Sequence, residues 1–503
     1  MPLERDEGEY AYAGQLILEG VAPYRLVYNM KLPGTYAAYA ALMAGTGQSA
    51  SGIHFGLIFI NAATTLLIFF LATRLFGELA GAISAASYAL LSTHPSVLGL
   101  AAHATHFVVF FAVAGIVFLL QAAESKRLLL CFASGILLGL AFLMKQPGAL
   151  FVLFGVGYLF YAESAPPPRE WKNTAAALGV FILGAALPFG ATCLLMAKLG
   201  LFHNFWFWTF TYARQYASQV SAANAWVLFR IAVDTAIVPV WPLWATAAIG
   251  LTTPLWCGRA RRQEFFVWSF VFVSIAAVCP GFYFRQHYFI LMLPALSLLI
   301  GIAVGCGSER LKYCGRFRLL AALPVAILVA VFVCAVFAQR TLFFRMTPHE
   351  ASRAIYSGNP FPETVDVAAF VRAHTSPDMR IAVIGSEPEI YFYSNRRSAT
   401  GYIYTYPLLE EQKFALTMQK QMIGEIEGAR PEYIVYVDVP ASWLPKAGAD
   451  WYIFAWAKSY LAQNYQLVGI DSDVRSDLVL PEVTTIQRPL STLNIYLFRR
   501  KSP

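Results

Sequence analysis

Charge is what this sequence has least of. Only 13% of its 503 residues are Asp, Glu, Lys or Arg, while 58% are hydrophobic. A water-soluble chain of this length is about a quarter charged, so the composition excludes an ordinary soluble protein and makes lipid the main solvent. Cysteine is sparse too. There are seven, none after residue 345 and none in a CxxC pair, which excludes a disulfide framework in the C-terminal third and gives no zinc or thiol-redox motif. Residues 1–33 hold no signal peptide and no apolar anchor. Because the spans counted below leave this end on the outer side, the expectation is that a further transmembrane helix belongs upstream of Met1.

What is present is a series of long apolar runs. Ten are of about the length a helix needs to cross a hydrocarbon core of ~30 Å: Ile53–Phe76, Leu79–Leu100, Phe107–Ala122, Leu128–Met144, Pro147–Tyr161, Thr174–Ala197, Trp226–Trp256, Phe265–Phe282, His287–Gly305 and Leu319–Ala338. Leu128–Tyr161 also reads as a re-entrant pair broken at Pro147. The net charge of +8 sits in short loops, not on one basic face, so it argues against a nucleic-acid partner and for a topology signal. Basic clusters at 125–127, 169–172, 259–262 and 310–318 all fall on one side, which the positive-inside rule makes cytoplasmic. Residues 1–52, the turn at Phe284–His287 and everything after 340 fall on the other side. The fold class is therefore a polytopic α-helical membrane protein with a C-terminal extracytoplasmic α/β domain. Its parts are a first outer loop (1–52), a membrane domain (53–340) and a soluble domain (345–503). In the latter, strands near 380–385, 433–437, 466–470 and 494–498 alternate with helical runs.

The first outer loop carries four carboxylates: Glu4, Asp6, Glu7 and Glu9. Glu4 and Glu9 read as solvated. Asp6 and Glu7 are followed by apolar residues at helical spacing (Tyr10, Ala13, Leu16, Ile17), a pattern for an interfacial helix that fixes both carboxylates at its N-terminal end. A general base at the lipid–water boundary suits transfer from a lipid-bound donor. Lys31, before Pro33-Gly34, suits a lipid phosphate as well as snorkelling. His103 and His106 lie one turn apart and suit phosphate or, with Glu7, a divalent metal, although two histidines do not complete a metal site. Arg285 and His287 sit in a short outer turn where they could meet the same phosphate. Arg230 and Asp234 read as an ion pair inside the membrane. The aromatic run from Phe202 to Tyr216 reads as an interfacial belt, and Tyr391–Tyr406 as a segment for acceptor contact or for docking on the membrane domain.

Asp6-Glu7, the aromatic helix after them, and Lys31 with Pro33 before the next span resemble the GT-C class of glycosyltransferases. The similarity is to the protein O-mannosyltransferase and lipid A aminoarabinose transferase-like group (family 39, RgtA/B/C/D-like), and it covers about the first third of the chain. The resemblance implies transfer of a sugar from a polyprenyl-phosphate donor to an acceptor at the outer face of the cytoplasmic membrane, the acceptor being lipid A or lipopolysaccharide, another glycan, or a protein. It implies Asp6 as base or acceptor-binding carboxylate, Glu7 in support and Lys31 on the donor phosphate; Arg285, His103 and His106 join that phosphate site by their placement alone. The sequence departs from the pattern at 101–107, where many relatives have an acidic residue; metal dependence stays open there. The alternative class is a transporter or flippase for polyprenyl-linked lipid or sugar, which would show repeated or paired broken helices.

Overall fold

The computed structural model describes residues 1–164, 171–314, 318–472 and 494–501. All ten apolar runs are helical over most of their length. Among the described residues, seven helical stretches are long and apolar enough to cross a membrane, and Leu128–Met144 and Glu264–Val278 are shorter apolar helices. Leu79–Leu100 is helical to Ser92, then turns through a 3-10 stretch at Pro95–Val97. Arg169, Arg316 and the side chain of Arg318 from the basic clusters lie outside the described residues. Cys257 and Cys306 are joined by a disulfide.

The first helix, α1 (Arg5–Leu18), starts where the sequence says it should. The Glu4 side chain accepts from the Glu7 amide and the Glu7 side chain accepts from the Glu4 amide, a reciprocal capping box. Asp6 and Glu7 then lie in the first turn, where the helix dipole favours negative charge. The second helix, α2 (Pro33–Thr46), has Pro33 in its first turn, fitting the fixed proline φ. Next come α3 (Ala50–Phe76), α4 (Glu78–Ser92), α5 (Ala104–Ser125), α6 (Leu128–Met144), α7 (Ala149–Ser164) and α8 (Trp171–Lys198).

Two expectations fail here for one reason. Helix α1 does not lie on lipid with solvated carboxylates: Glu4, Glu7 and Glu9 are all buried, as is nearly every residue from Tyr10 to Leu16. The C-terminal domain covers this helix. Gly8 marks the contact, because a Cβ there would stand 2.7 Å from the Glu389 backbone nitrogen.

The expected span Trp226–Trp256 is one continuous helical stretch, Ala222–Trp256, of irregular winding. It runs as helix Ala222–Ala232, a π-helical turn Val233–Ile237, a 3-10 turn Val238–Val240 and helix Trp241–Trp256. The wider π turn rotates Asp234 out of the i,i+4 register, and among the described residues no ion pair joins it to Arg230.

Among the described residues, the C-terminal domain carries a five-stranded sheet in the order β2-β1-β3-β5-β4. The strands are β1 (Arg380–Ile384), β2 (Arg397–Ser398), β3 (Tyr433–Asp438), β4 (Tyr465–Ser472) and β5 (Asn494–Arg500). β1 pairs parallel with β2 and β3, while β5 pairs antiparallel with β3 and β4. The four long strands follow from their apolar, β-branched runs; the two-residue β2 has no such pattern. The parallel strands direct their C-terminal ends, and the loops after them, toward α1. That is where ligand-contacting loops of parallel sheets collect.

Candidate active site at the junction of membrane and soluble domains

Three segments far apart in sequence meet around Asp6. Helix α1 supplies Asp6. The segment 29–31 supplies Lys31, whose Nζ is 3.4 Å from Asp6 Oδ2 and 3.1 Å from the Tyr10 hydroxyl. The soluble domain supplies Tyr404, whose hydroxyl donates to Asp6 Oδ1 at 3.4 Å. The chamber they line, with Arg285, His287 and Tyr288 opposite, has a volume of about 50 Å³, room for a few waters or a group of similar size.

The electrostatics of the chamber are cationic around one carboxylate. Burial raises the Asp6 pKa, but Lys31, His103, Lys145 and Arg285 together outweigh it and hold the group at about 2. Lys31 is desolvated, yet Asp6 and Glu9 keep its pKa above the ordinary value. Lys145 behaves the other way: burial, then Lys31 and Arg285, bring it down to about 7. Its Nζ lies 4.0 Å from the centre of the Tyr288 ring, a cation–π contact. Lys145 is a functional candidate that the sequence reading passed over. The signal in the sequence is a lone lysine in the turn between two apolar runs, next to Pro147.

Not every candidate comes to the chamber. Asp6, Lys31 and Arg285 line it together, and His103 stands behind them, stacked on His287 with ring centres 4.3 Å apart. Glu7 is fully engaged elsewhere: Oε1 faces His54 Nε2 at 3.0 Å and accepts from the Ala102 amide at 2.6 Å, and Oε2 accepts from the Glu4 amide. It braces α1 and does not line the chamber. His106 pairs with Asn61 Oδ1 at 3.0 Å among the membrane helices. Its place in a phosphate site is therefore corrected; one turn along α5 carries it away from the loop that holds His103.

A divalent metal with Glu7 and His106 finds no support in this arrangement, but another set does. Asp6, His103 and His287 each offer a donor atom, all within 4.8 Å of one another. Both His103 ring nitrogens are buried without a hydrogen-bond partner, and burial first, against the pull of Asp6 and Glu7, lowers its pKa to about 4. His103 Nδ1 faces Glu4 Oε1 at 3.6 Å, and neutral imidazoles beside a carboxylate fit a divalent cation.

Two more structures hold the chamber. Glu9, expected to be solvated, accepts from the Tyr36 hydroxyl at 2.5 Å and from Asn29 Nδ2 at 2.7 Å, and Asn29 Oδ1 accepts from the Met30 amide. Glu9 thus fixes the segment that presents Lys31. Burial raises its pKa to about 8. Arg5 ties α1 to the soluble domain: Nη2 donates to Glu387 Oε1 at 2.9 Å, Nε to the Ser386 carbonyl at 2.6 Å and Nη1 to the Tyr406 hydroxyl at 2.8 Å.

The segment Tyr391–Tyr406 divides its roles. Tyr391 packs on Tyr12, Arg397 pairs with Glu19 and Tyr402 meets Tyr28, all docking contacts. Tyr404 and Tyr406 face the chamber. The aromatic run after Phe202 is likewise split: Trp208 and Tyr212 meet Tyr402 and Glu410 of the C-terminal domain, Phe205 is buried against Tyr24 and Phe189, and Phe202 and Trp206 are exposed.

The helical scaffold with its loop-borne site under an α/β domain has the GT-C fold, and with its apolar helices the chain is a multi-pass membrane protein. Residues 33–191 match the family described as dolichyl-phosphate-mannose-protein mannosyltransferase. Among solved structures, ArnT from Cupriavidus metallidurans bound to undecaprenyl phosphate superposes with a TM-score of 0.57 at 15% identity, covering 99% of this chain and 94% of that one. Its apo state gives 0.58 at the same identity. The oligosaccharyltransferase AglB from Archaeoglobus fulgidus, in complex with an inhibitory peptide and a dolichol-phosphate, gives 0.53 at 12% identity, covering 98% of this chain and 72% of that one. No curated protein matches the chain by sequence.

Proposed function

We propose that this protein is a membrane glycosyltransferase that moves a sugar from a polyprenyl-phosphate donor to an acceptor hydroxyl at the outer face of the cytoplasmic membrane. The observation that carries this reading is one carboxylate, Asp6, facing Lys31 and Arg285 in a single chamber where membrane helices meet the soluble domain. A phosphate entering the chamber takes up the charge of Lys31 and Arg285, with Lys145 behind them. That removes what holds the Asp6 pKa down, so donor binding makes Asp6 a better base. Asp6 then accepts the proton of the acceptor hydroxyl, whose oxygen attacks the anomeric carbon. The bond from that carbon to the phosphate oxygen breaks on the opposite face, and the leaving phosphate keeps the electron pair, stabilised by the cations. This geometry inverts the anomeric centre. A divalent ion held by Asp6, His103 and His287 would add positive charge beside the phosphate.

Family match and fold support this reading: the structural relatives were solved with undecaprenyl phosphate or a dolichol-phosphate. The transporter alternative has no observation in its favour. The test is transfer in membranes supplied with undecaprenyl-phosphate hexose. Asp6→Asn should lower the rate ~10²–10⁴-fold while undecaprenyl phosphate still binds; normal turnover of Asp6→Asn would show that the base is misassigned.

A further inference from the structure

Large apolar side chains left exposed on the C-terminal domain are few, and they are grouped. After residue 345 those exposed among the described residues are Met379, Leu416, Leu444, Trp451 and Tyr452, and all but Met379 belong to one face. The helices Ala415–Ala429 and Tyr452–Asn464 start side by side there, locked by Gln419: its Nε2 donates to the Asp450 carbonyl at 2.8 Å and its Oε1 accepts from the Ile453 amide at 2.8 Å. Leu416 lies one turn before Lys420, whose Nζ is 5.7 Å from the centre of the Tyr452 ring. Leu444 follows Trp443, and the rings of Trp443, Phe454 and Trp451 run on from it with centres 4.6 and 5.1 Å apart. Water-facing surfaces tolerate such side chains singly; a group of them marks a contact.

Two contacts fix where this face stands. Phe414, the N-cap of the helix Ala415–Ala429, meets Phe207 with ring centres 5.0 Å apart. Phe207 continues the run of Leu199, Phe202 and Trp206, all exposed just past the end of α8. On the other side, Lys446 and Ala447 line a cavity of about 840 Å³ together with Asn224 and Val227. These two lie in the first turns of the stretch Ala222–Trp256, where Trp226 and Val227 are exposed. The face therefore stands beside the ends of two membrane-crossing stretches and is continuous with surface that lipid covers. Its composition suits the same solvent. Trp and Tyr prefer the headgroup level, and Lys413, Lys420 and Lys446, all exposed, can reach phosphate over apolar stems. The acidic groups of the face are turned to backbone: Glu411 accepts from the Gly448 amide and Asp450 from the Tyr452 amide.

We propose that the C-terminal domain docks on the phospholipid leaflet by this face, with Leu416, Leu444, Trp451 and Tyr452 entering the headgroup–acyl boundary and the three lysines meeting lipid phosphates. A domain held this way is steadied from the lipid side as well as by Arg5 on α1. The inference needs the membrane fold alone and is independent of the reaction that the chamber performs.

The test is photo-crosslinking of the full chain in the membranes of the expressing cells, with benzoylphenylalanine placed at one position at a time. Phe272, exposed on a membrane helix, sets the yield of phospholipid adducts in lipid. Gln463, exposed at the far end of the helix Tyr452–Asn464 and ~16 Å along it from Tyr452, sets the yield in water. Mass spectrometry of the labelled peptides should find phospholipid adducts for Trp451→benzoylphenylalanine and Tyr452→benzoylphenylalanine on the order of tenfold above Gln463→benzoylphenylalanine and near the Phe272 value. Both side chains are exposed, so the fold does not depend on them, and either position suffices. Yields at the Gln463 level would overturn the docking. So would a cross-link to a second copy of the chain or to another protein, which would make the face a protein interface.

Discussion

The Tyr404 hydroxyl, carried by the soluble domain, donates to Asp6 Oδ1 across 3.4 Å, so the residue assigned as base has one oxygen held by a domain nearly 400 positions away. Its other oxygen faces Lys31. Tyr404→Phe should therefore leave Asp6 in place but less well aimed. The expected result is a kcat lowered about tenfold or less, with KM for the donor little changed. Steady-state kinetics on membranes check it.

Lys145 gives the site a pH dependence whose sign follows from its charge. With its pKa brought down to about 7, it is an ammonium below that pH and a neutral amine above it. Undecaprenyl phosphate should bind on the order of tenfold more weakly as pH rises from 6 to 8.5. His103, held at about 4, does not change charge in that window. Lys145→Met should bind weakly throughout and show a flatter profile, measured by titration in nanodiscs.

Glu9 should behave as a positioning residue. Its pKa of about 8 means a protonated carboxyl at neutral pH. A raised folded-state pKa gives stability that is complete below the unfolded value and lost as pH climbs through 8. Glu9→Gln mimics the protonated form, so it should fold normally and lose that alkaline decline. Glu9→Ala leaves Asn29 and Tyr36 unpaired and should cost roughly 1–3 kcal/mol, with weaker donor binding because Lys31 is released. Thermal unfolding in detergent from pH 6 to 9 separates the three forms.

Arg5 and Glu387 form a buried pair between α1 and the soluble domain. Removing one partner of such a pair costs about 3–5 kcal/mol, because the other charge stays buried alone. Glu387→Ala should expose residues 345–503 to limited proteolysis and abolish transfer, and Glu387→Gln should do so less.

Topology carries the same weight as chemistry. Ser357 is exposed, and Ser357→Cys should react with an impermeant maleimide in intact cells. Labelling only after the cells are opened would place the soluble domain, and the chamber with it, on the cytoplasmic side.

The sequence made the membrane segments legible because lipid imposes one rule on every residue of a span. The strands of the soluble domain were legible from local pattern, and Asp6, Lys31 and Arg285 from charge placed beside apolar helices. Glu4 and Glu9 were misread because their partners, His103 for the one and Asn29 and Tyr36 for the other, come from other segments of the fold. Lys145 was missed because it sits in an unremarkable local context, and only the tertiary approach of Lys31 and Arg285 makes it chemical. Arg230 and Asp234 show the converse, an apparent helical pair undone by a π turn.

The close approach of Gly8 to Glu389 bears on how such a molecule can change over time. Helix α1 and the cover above it form one recombination unit despite lying at opposite ends of the chain. A hybrid that receives a foreign soluble domain while keeping its own α1 would inherit a mismatched surface directly above Asp6. Grafting the two ends together would keep that surface intact, so new acceptor preferences are reached more readily by exchanging both termini than by exchanging either one.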